Sequence, residues 1–373
     1  MKFLIVTHVV HTQSHQQYFA YEPYVREMNI WLRYADSLLV VAPIDNNVPT
    51  AIDSSYEHQN LDFRKVPDFS MMGFKNGMAA VFSIPGILCQ IFKAMQQADH
   101  IHLRCPGNMG LLACLLQIFF PSKPKTAKYA GNWDPKSRQP WTYRMQKWIL
   151  SNTFLSRNMK VLVYGEWDNQ SQNIKPFFTA TYSEREEKTT VKTIDSNQTI
   201  RMLFVGSLVE GKNPLYAIRL LEQLKKRTPN VQLDIFGNGA LRQVLQNYIE
   251  KNNLSECVFL HGNQNQEVLK KAYQDSHFVI LASKSEGWPK AIAEGMFWGC
   301  VPIATPVSCV PDMLDYGNRG LLLQMDVDKD AAAIIALLND AMDYQNKSSE
   351  AVNWSGKYTL ERFETEIKKL LQK

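Results

Sequence analysis

What this chain of 373 residues lacks narrows the field first. Its six cysteines, Cys89, Cys105, Cys114, Cys257, Cys300 and Cys309, form no C-x-x-C pair and join no His/Cys cluster of zinc spacing. That pattern gives no sign of a zinc ribbon, and reads most simply as reduced thiols in the cytosol. Long hydrophobic runs are missing too. The longest, MGLLACLLQIFF (109–120), falls well short of the roughly 20 residues that span a bilayer. The opening MKFLIVTHVV has no basic n-region, no h-region of adequate length and no cleavage site, so it reads as a first strand and not as a signal peptide. Charge of one sign is scarce: the net +5 is too small to argue nucleic acid, but suits an anionic ligand or an anionic membrane surface. With 45% hydrophobic and 21% charged residues the chain has an ordinary soluble composition, and its length predicts two domains.

Strand and helix patterns alternate along the chain. Short apolar runs at 2–9, 37–43, 100–106, 125–131 and 159–165 have the character of buried parallel strands. Helical patterns fall between them at 22–35, about 85–97, 109–120 and 141–156. The Phe- and Met-rich stretch 68–95, with Lys75 and Lys93, admits two readings: a loop followed by a core helix, or a surface that dips into a bilayer interface beside a lipid-linked substrate. A polar, charged segment at 181–199 marks an exposed linker. The alternation then restarts, with strands at 201–208, 231–237, 258–262, 278–283 and 301–305 and helices at 213–227, 240–253, 265–276 and 289–298. The expected architecture is α/β: two doubly wound Rossmann-like domains facing a central cleft. The first covers 1–180 and the second 200–355.

The stretch ASKSEGWPKAIAEGMFWGCVPIAT (282–305) carries the chemistry. A strand ends at Ser283, the chain turns through KSEG, and a helix starts at Pro289, whose missing N–H is not needed there. Gly299 fits the left-handed position just past the helix end, and Pro302 follows. Glu286 therefore lies in the loop over the strand ends and Glu294 in the second helical turn. The helix start, with the N–H groups of Lys290 and Ala291, attracts an anion such as phosphate. Ionised carboxylates on either side accept hydrogen bonds from hydroxyls, which suits a sugar or a diol. The alternative makes Glu286 a solvated loop residue and Glu294 the i, i+4 partner of Lys290, a pairing worth a few tenths of a kcal/mol. Spacing alone leaves both readings open.

This stretch resembles the E-x7-E signature of the retaining glycosyltransferases of family 4, which have the GT-B fold. FVGSLVEGKNPLYAI (204–218), LDIFGNGALRQVLQ (233–246) and FLHGNQNQEVLKKAYQDSHFVILAS (259–283) follow that family's order and spacing. The resemblance is strong over roughly 200–325 and weak in the N-terminal half. It implies a nucleotide-sugar donor, a UDP- or GDP-sugar, held mainly by the C-terminal domain, and an acceptor held mainly by the N-terminal one. It implies that Glu286 contacts the donor sugar hydroxyls, that the backbone of Gly287 and Trp288 approaches sugar and phosphates, and that Glu294 binds the ribose diol. The resemblance further implies that Lys212 neutralises the diphosphate as it leaves, that Gly206 and Gly237 admit backbone to the nucleotide, and that Gly262 and Asn263 flank the base. No metal is obligatory. The tail helix 358–372 is expected to return to the first domain, which then includes about 356–373.

Two departures stand out. Ser207 occupies the position where many family members have an arginine, so Lys290, Arg104 or Arg138 is expected to take its place. The N-terminal catalytic histidine has no secure counterpart, leaving His102, Arg104, Asn132, Trp133 and Asp134 as acceptor-side candidates. Trp133 reads equally as a sugar-stacking platform and as a structural residue. The histidines of THVVHTQSHQQ (7–17) have no carboxylate nearby in sequence, so that segment is expected to be a polar acceptor-side loop and not a metal site. Gly295 is expected to mark close packing, since glycine inside a helix costs about 1 kcal/mol relative to alanine. The resulting expectation is a retaining hexosyltransferase acting on a glycan or lipid-linked acceptor in surface polysaccharide assembly. It is cytoplasmic, at the inner membrane face with peripheral contact, and takes no nucleic acid. A sugar-nucleotide 2-epimerase on the same fold and a non-catalytic nucleotide-sugar-binding partner are the rival readings.

Overall fold

The computed structural model describes residues 1–67, 74–186, 192–195 and 198–372. The chain divides into two compact units, one made of 1–178 with 363–373 and the other of 179–362.

The first unit is built on β1 (Lys2–Val6), an apolar run that only a doubly covered parallel sheet can bury. The hairpin β2 (His11–Ser14) and β3 (Gln17–Tyr21) follows, then α1 (Glu22–Leu32), β4 (Ser37–Asp45), β5 (Asp53–Ser55) and β6 (Leu61–Val66). After α2 (Phe74–Gln97) come β7 (His100–Cys105), α3 (Asn108–Leu116), β8 (Lys125–Tyr129), α4 (Trp141–Ser151), β9 (Met159–Tyr164) and β10 (Ile174–Phe177). Strand order is β10-β9-β8-β7-β1-β4-β2-β3-β5, with β6 also pairing β4. β1 lies between parallel neighbours, Leu4 opposite Leu39 on one side and Ile101 on the other. Leu4, Val6, Leu39, Val41, Leu103 and Ala127 form the floor of a core closed by Ile91 and Met95 of α2, Ala113 of α3 and Ile149 of α4.

Residues 7–17, expected as a polar loop, instead supply most of a hairpin that turns at His15 and Gln16, both with positive φ. Pairing brings Tyr18 onto Phe63, ring centroids 4.3 Å apart, and buries His11. His11 Nε2 meets Tyr56 Oη at 2.9 Å and Nδ1 meets the Val9 carbonyl at 2.8 Å, so its ring is a core element. Of the stretch 68–95, residues 68–73 lie outside the described residues, and 74–97 form the helix α2.

The second unit runs β11 (Ile200–Val205), α5 (Pro214–Lys225), β12 (Val231–Phe236), α6 (Arg242–Lys251), β13 (Val258–Gly262), α7 (Gln266–Asp275), β14 (Phe278–Leu281), α8 (Lys290–Phe297) and β15 (Val301–Ala304). It continues with α9 (Val310–Met313), β16 (Leu321–Leu322), α10 (Val327–Leu338) and α11 (Ala341–Ser355). Its sheet is wholly parallel, in the order β13-β12-β11-β14-β15-β16. The chain thus winds outward from β11 in one direction, then returns to β14 and winds in the other.

The linker expected at 181–199 is exposed at Glu184, Arg185, Thr193, Asp195, Gln198 and Thr199 but anchored at three other residues. Residues 187–191 and 196–197 lie outside the described residues, but Thr181, Tyr182 and Lys192 are buried. Tyr182 stacks on Phe297 at 5.0 Å, and Lys192 Nζ donates to the carbonyls of Tyr273 and Ser276. The polar composition of the segment hid these anchors. The last helix, α12 (Leu360–Leu371), belongs to the first unit from Phe363 onward. There Phe363 packs on Phe177 and Phe178, and Lys160 Nζ donates to the Leu370 carbonyl at 3.1 Å. Among the described residues no helix is long and apolar enough to cross a membrane.

Candidate active site

In an open parallel sheet, ligands bind beyond the carboxyl ends of the strands, where the order reverses. In the second unit that point lies between β11 and β14. The loop after β11 is shaped by its backbone: Gly206 N donates to the Phe236 carbonyl (2.9 Å), Leu208 N to Asn238 (3.0 Å) and Lys212 N to Val209 (3.0 Å). Asn213 adopts a left-handed conformation and Pro214 opens α5. Lys284 N, just past β14, donates to the Gly211 carbonyl at 2.9 Å and ties the two loops together. Lys212 and Glu286 consequently meet, Nζ to Oε1 at 2.5 Å. The Glu286 side chain is 6% exposed and that of Lys212 is 32% exposed, so one partner is buried and the other faces solvent. Glu286 is not the solvated loop residue of the alternative reading.

The neighbouring strand ends line up with this pair. Gly237 N donates to the Gly262 carbonyl at 2.8 Å. Gly237 has φ 138°, and a Cβ there would collide with the Gly206 carbonyl oxygen, so backbone stands where any side chain would block the loop. Ser207 and Asn263 are exposed on the same rim. Beyond Gly262 a groove of about 300 Å³ is lined by Asp234, Phe236, His261, Gln264 and Lys271. His261 Nε2 meets Asp234 Oδ1 at 2.6 Å and its ring stacks on Phe236 at 4.4 Å. The residues of this groove come from three strands, a loop and a helix, too scattered along the chain to mark it in the sequence.

Helix α8 begins at Lys290, one residue later than expected, with the Pro289 carbonyl accepting from Ile292 and Ala293 N. It ends at Phe297, and Gly299, two residues beyond, has φ 77°. Gly295 sits against β14: a Cβ there would lie 2.5 Å from Val279 Cγ1. Glu294 Oε1 accepts from Thr181 Oγ1 at 2.7 Å and Oε2 from Tyr273 Oη at 3.1 Å. Tyr273 is fully buried, and burial first, then the Glu294 charge, pushes its pKa well above the ordinary phenol value, so it remains a donor. Thr181 and Tyr273 are a support that the sequence did not reveal. They use one site on each carboxylate oxygen and leave acceptor capacity for a diol. Trp288 stacks on Trp354 at 5.9 Å and meets Tyr358 edge-on, so its indole is held by α11 and the segment after it, and Lys290 lines the same small recess as Glu294.

In the first unit the corresponding reversal lies between β1 and β7. Arg104, near the end of β7, pairs with Glu27 (3.4 Å) and covers the Tyr24 ring, while buried Lys128 approaches the same Glu27 at 2.9 Å. His8 lies against Gly107 at this edge. Two other acceptor-side candidates do not reach it. His102 is fully buried in mid-strand, with Nδ1 2.9 Å from Thr126 Oγ1 and its ring 4.8 Å from Trp31. Burial, then the nearby His100, Arg104 and Lys128, lower its pKa well below the ordinary value, so the ring is neutral and structural. Trp133 is 3% exposed, packed edge-on against Tyr129, with Nε1 donating to Gln170 Oε1 at 2.9 Å. It is a core residue and no stacking platform. Asn132 Oδ1 accepts from Asp134 N and Asp134 Oδ1 from Lys136 N, so both side chains build the turn before α4.

Comparison with known proteins bears on this arrangement. Residues 184–354, nearly all of the second unit, match the family model described as glycosyl transferases group 1. The chain is similar over its full length to the solved structure of Anabaena Alr3699/HepE in complex with UDP, with a TM-score of 0.71, 14% identity and coverage of 100% of this chain and 99% of that one. The fold is GT-B. Two curated relatives match the GT-B chain in part. The poly(glycerol-phosphate) alpha-glucosyltransferase of Bacillus subtilis is 27% identical over 168 residues, 43% of this chain and 24% of the relative. The amylovoran biosynthesis glycosyltransferase AmsK of Erwinia amylovora is 30% identical over 159 residues, 41% and 38% of the two chains. The matched segment thus spans about a quarter to two fifths of these relatives' length.

Proposed function

We propose that the chain is a retaining glycosyltransferase of family 4. It moves a hexose-type sugar from a UDP- or GDP-sugar to a glycan or lipid-linked acceptor, in surface polysaccharide assembly at the cytosolic face of a membrane. The observation that carries this reading is the Lys212–Glu286 pair at the sheet reversal of the second unit, within the segment that matches the group 1 model. Relatives named as transferases favour transfer over epimerisation.

On this reading the donor diphosphate takes Lys212 Nζ from Glu286, and the freed carboxylate accepts from the sugar hydroxyls. Glu294, braced by Thr181 and Tyr273, accepts from the ribose diol. Gly206, Ser207, Gly237, Gly287 and the start of α8 present backbone to the phosphates, Lys290 adds charge in place of the missing arginine, and Gly262 and Asn263 flank the base. The bond from the anomeric carbon to the β-phosphate oxygen breaks with its electron pair leaving on phosphate. The acceptor oxygen bonds to the same face and its proton passes to the leaving phosphate. Lys212 stabilises the charge that develops there, an effect worth several kcal/mol when the donor is preorganised. Arg104, at the β1–β7 reversal, faces the acceptor. The test is NMR of the product formed from a UDP- or GDP-sugar and a polyprenyl-diphosphate glycan. A new glycoside with the donor's anomeric configuration supports the proposal, and an inverted one rules out the retaining route.

A further inference from the structure

Of the eight tryptophans in the chain, only Trp141 and Trp148 are exposed, at 60% and 63%, and both lie on α4. They are seven residues apart, with exposed Arg144 between them, so the three side chains share one helical stripe. The opposite stripe, Thr142, Gln146, Ile149 and Leu150, is the buried one. Two more exposed aromatics come from adjoining segments: Phe154 is 74% exposed and Phe119, in the short 3-10 turn Gln117–Phe119, is 70% exposed. Those segments are joined by Gln117 Nε2 donating to the Leu155 carbonyl (3.1 Å) and Asn158 Nδ2 donating to the Pro121 carbonyl (3.0 Å). Arg157 stands over the Phe154 ring.

The charge around this face is one-sided. From 100 to 165 the chain has ten Lys and Arg and a single acidic residue, Asp134. Lys125 and Lys128 of that set are buried and Arg104 is half-buried against Glu27, while Lys136, Arg138, Arg144 and Arg157 are exposed. Two largely exposed indoles set among cations match the boundary of an anionic bilayer, where the ring enters the headgroup level and the cations meet phosphates.

We infer that the outer stripe of α4, with Phe154 and Phe119, is a docking surface for an anionic phospholipid membrane. It is distinct from the stretch 68–95 to which the sequence pointed, and it uses neither Lys212 nor Glu286, so it stands or falls apart from the proposed transfer activity. The full chain is sedimented with vesicles of phosphatidylcholine alone and with phosphatidylglycerol added. Binding is expected to be at least about tenfold stronger to the anionic vesicles, to weaken with salt, and to blue-shift tryptophan emission. Trp141→Ser with Trp148→Ser is expected to lower it about tenfold, and Arg144→Glu severalfold, with thermal midpoint and UDP binding unchanged. Protection of wild-type emission from iodide quenching by anionic vesicles gives the same answer without any variant. The inference is overturned if the wild-type chain binds neither vesicle, if the double variant binds as the wild type does, or if the face proves to hold a dimer that Trp148→Ser dissociates.

Discussion

Lys212 Nζ and Glu286 Oε1 lie 2.5 Å apart across the β11–β14 reversal, although 74 residues separate them in the chain. Each satisfies the other, so a diphosphate must compete with a carboxylate for the lysine. Neutralising the competitor in Glu286→Gln should tighten UDP binding by up to about tenfold, because a charged acceptor holds an ammonium roughly twice as strongly as a neutral one. The same change should lower transfer by about 10²–10³-fold, the usual loss when a preorganised polar group is removed from a reacting centre. Calorimetry with UDP and initial-rate assays separate the two effects. Weakened UDP binding would mean that Glu286 does not restrain Lys212.

Glu294 depends on two hydroxyls. Tyr273→Phe removes one donor while keeping the ring in its buried place, at an expected stability cost of about 1 kcal/mol. The Glu294 carboxylate then loses one of its two braces, and nucleotide affinity should fall severalfold while Thr181 retains the other oxygen. Denaturant unfolding and UDP titration of the same variant provide both numbers. Unchanged affinity would show that Thr181 suffices.

Alanine at position 295 should destabilise although alanine favours helix. The propensity gain is about 1 kcal/mol, but the added methyl would stand 2.5 Å from Val279 Cγ1, and overpacking of this kind costs about 1–3 kcal/mol. A net loss is expected for Gly295→Ala, and pairing it with Val279→Ala should restore part of it. A more stable single variant would contradict the packing of α8 on β14.

The buried histidines make stability depend on pH. Burial lowers the pKa of His11, His100 and His277 to about 4, from an ordinary value near 6.5. The unfolded chain therefore binds more protons between those values, and the slope of unfolding free energy with pH is positive there. Their stabilising contribution is complete above about pH 6.5 and is lost as pH falls toward 4. Each group contributes up to about 1.4 kcal/mol per pH unit within the window. Urea midpoints from pH 7 to 5 should fall steadily; a flat profile would place these rings in water.

Both Rossmann-like sheets were legible because runs such as KFLIV and VILAS can be buried only as doubly covered parallel strands, and because the intervening helices keep a helical period. The hairpin at 11–21 was not, since HTQS and QYFAY form no apolar alternation and are fixed by pairing with β4 and by the Tyr18–Phe63 stack. Within the site, Glu286 could be placed over a strand end by spacing, but its role and that of Lys212 came only from the family resemblance of SEGWPKAIAEG and EGKN. Thr181 and Tyr273 could not be named, because what selects them is the three-dimensional approach to Glu294. His102 and Trp133 misled for the opposite reason: sequence shows a polar or aromatic side chain near a strand end, whereas only packing reveals that Trp31 and Tyr129 cover them.

The central claim is that the second unit holds a nucleotide diphosphate between Lys212 and two glutamates. It is tested most directly by thermal unfolding of the wild-type chain, Lys212→Ala and Glu294→Ala, each with UDP-, GDP- and ADP-sugars. A ligand that binds only the native state must raise the midpoint. The wild-type midpoint should rise with at least one donor, and both variants should lose most or all of that rise. Wild-type shifts retained by both variants would contradict the account.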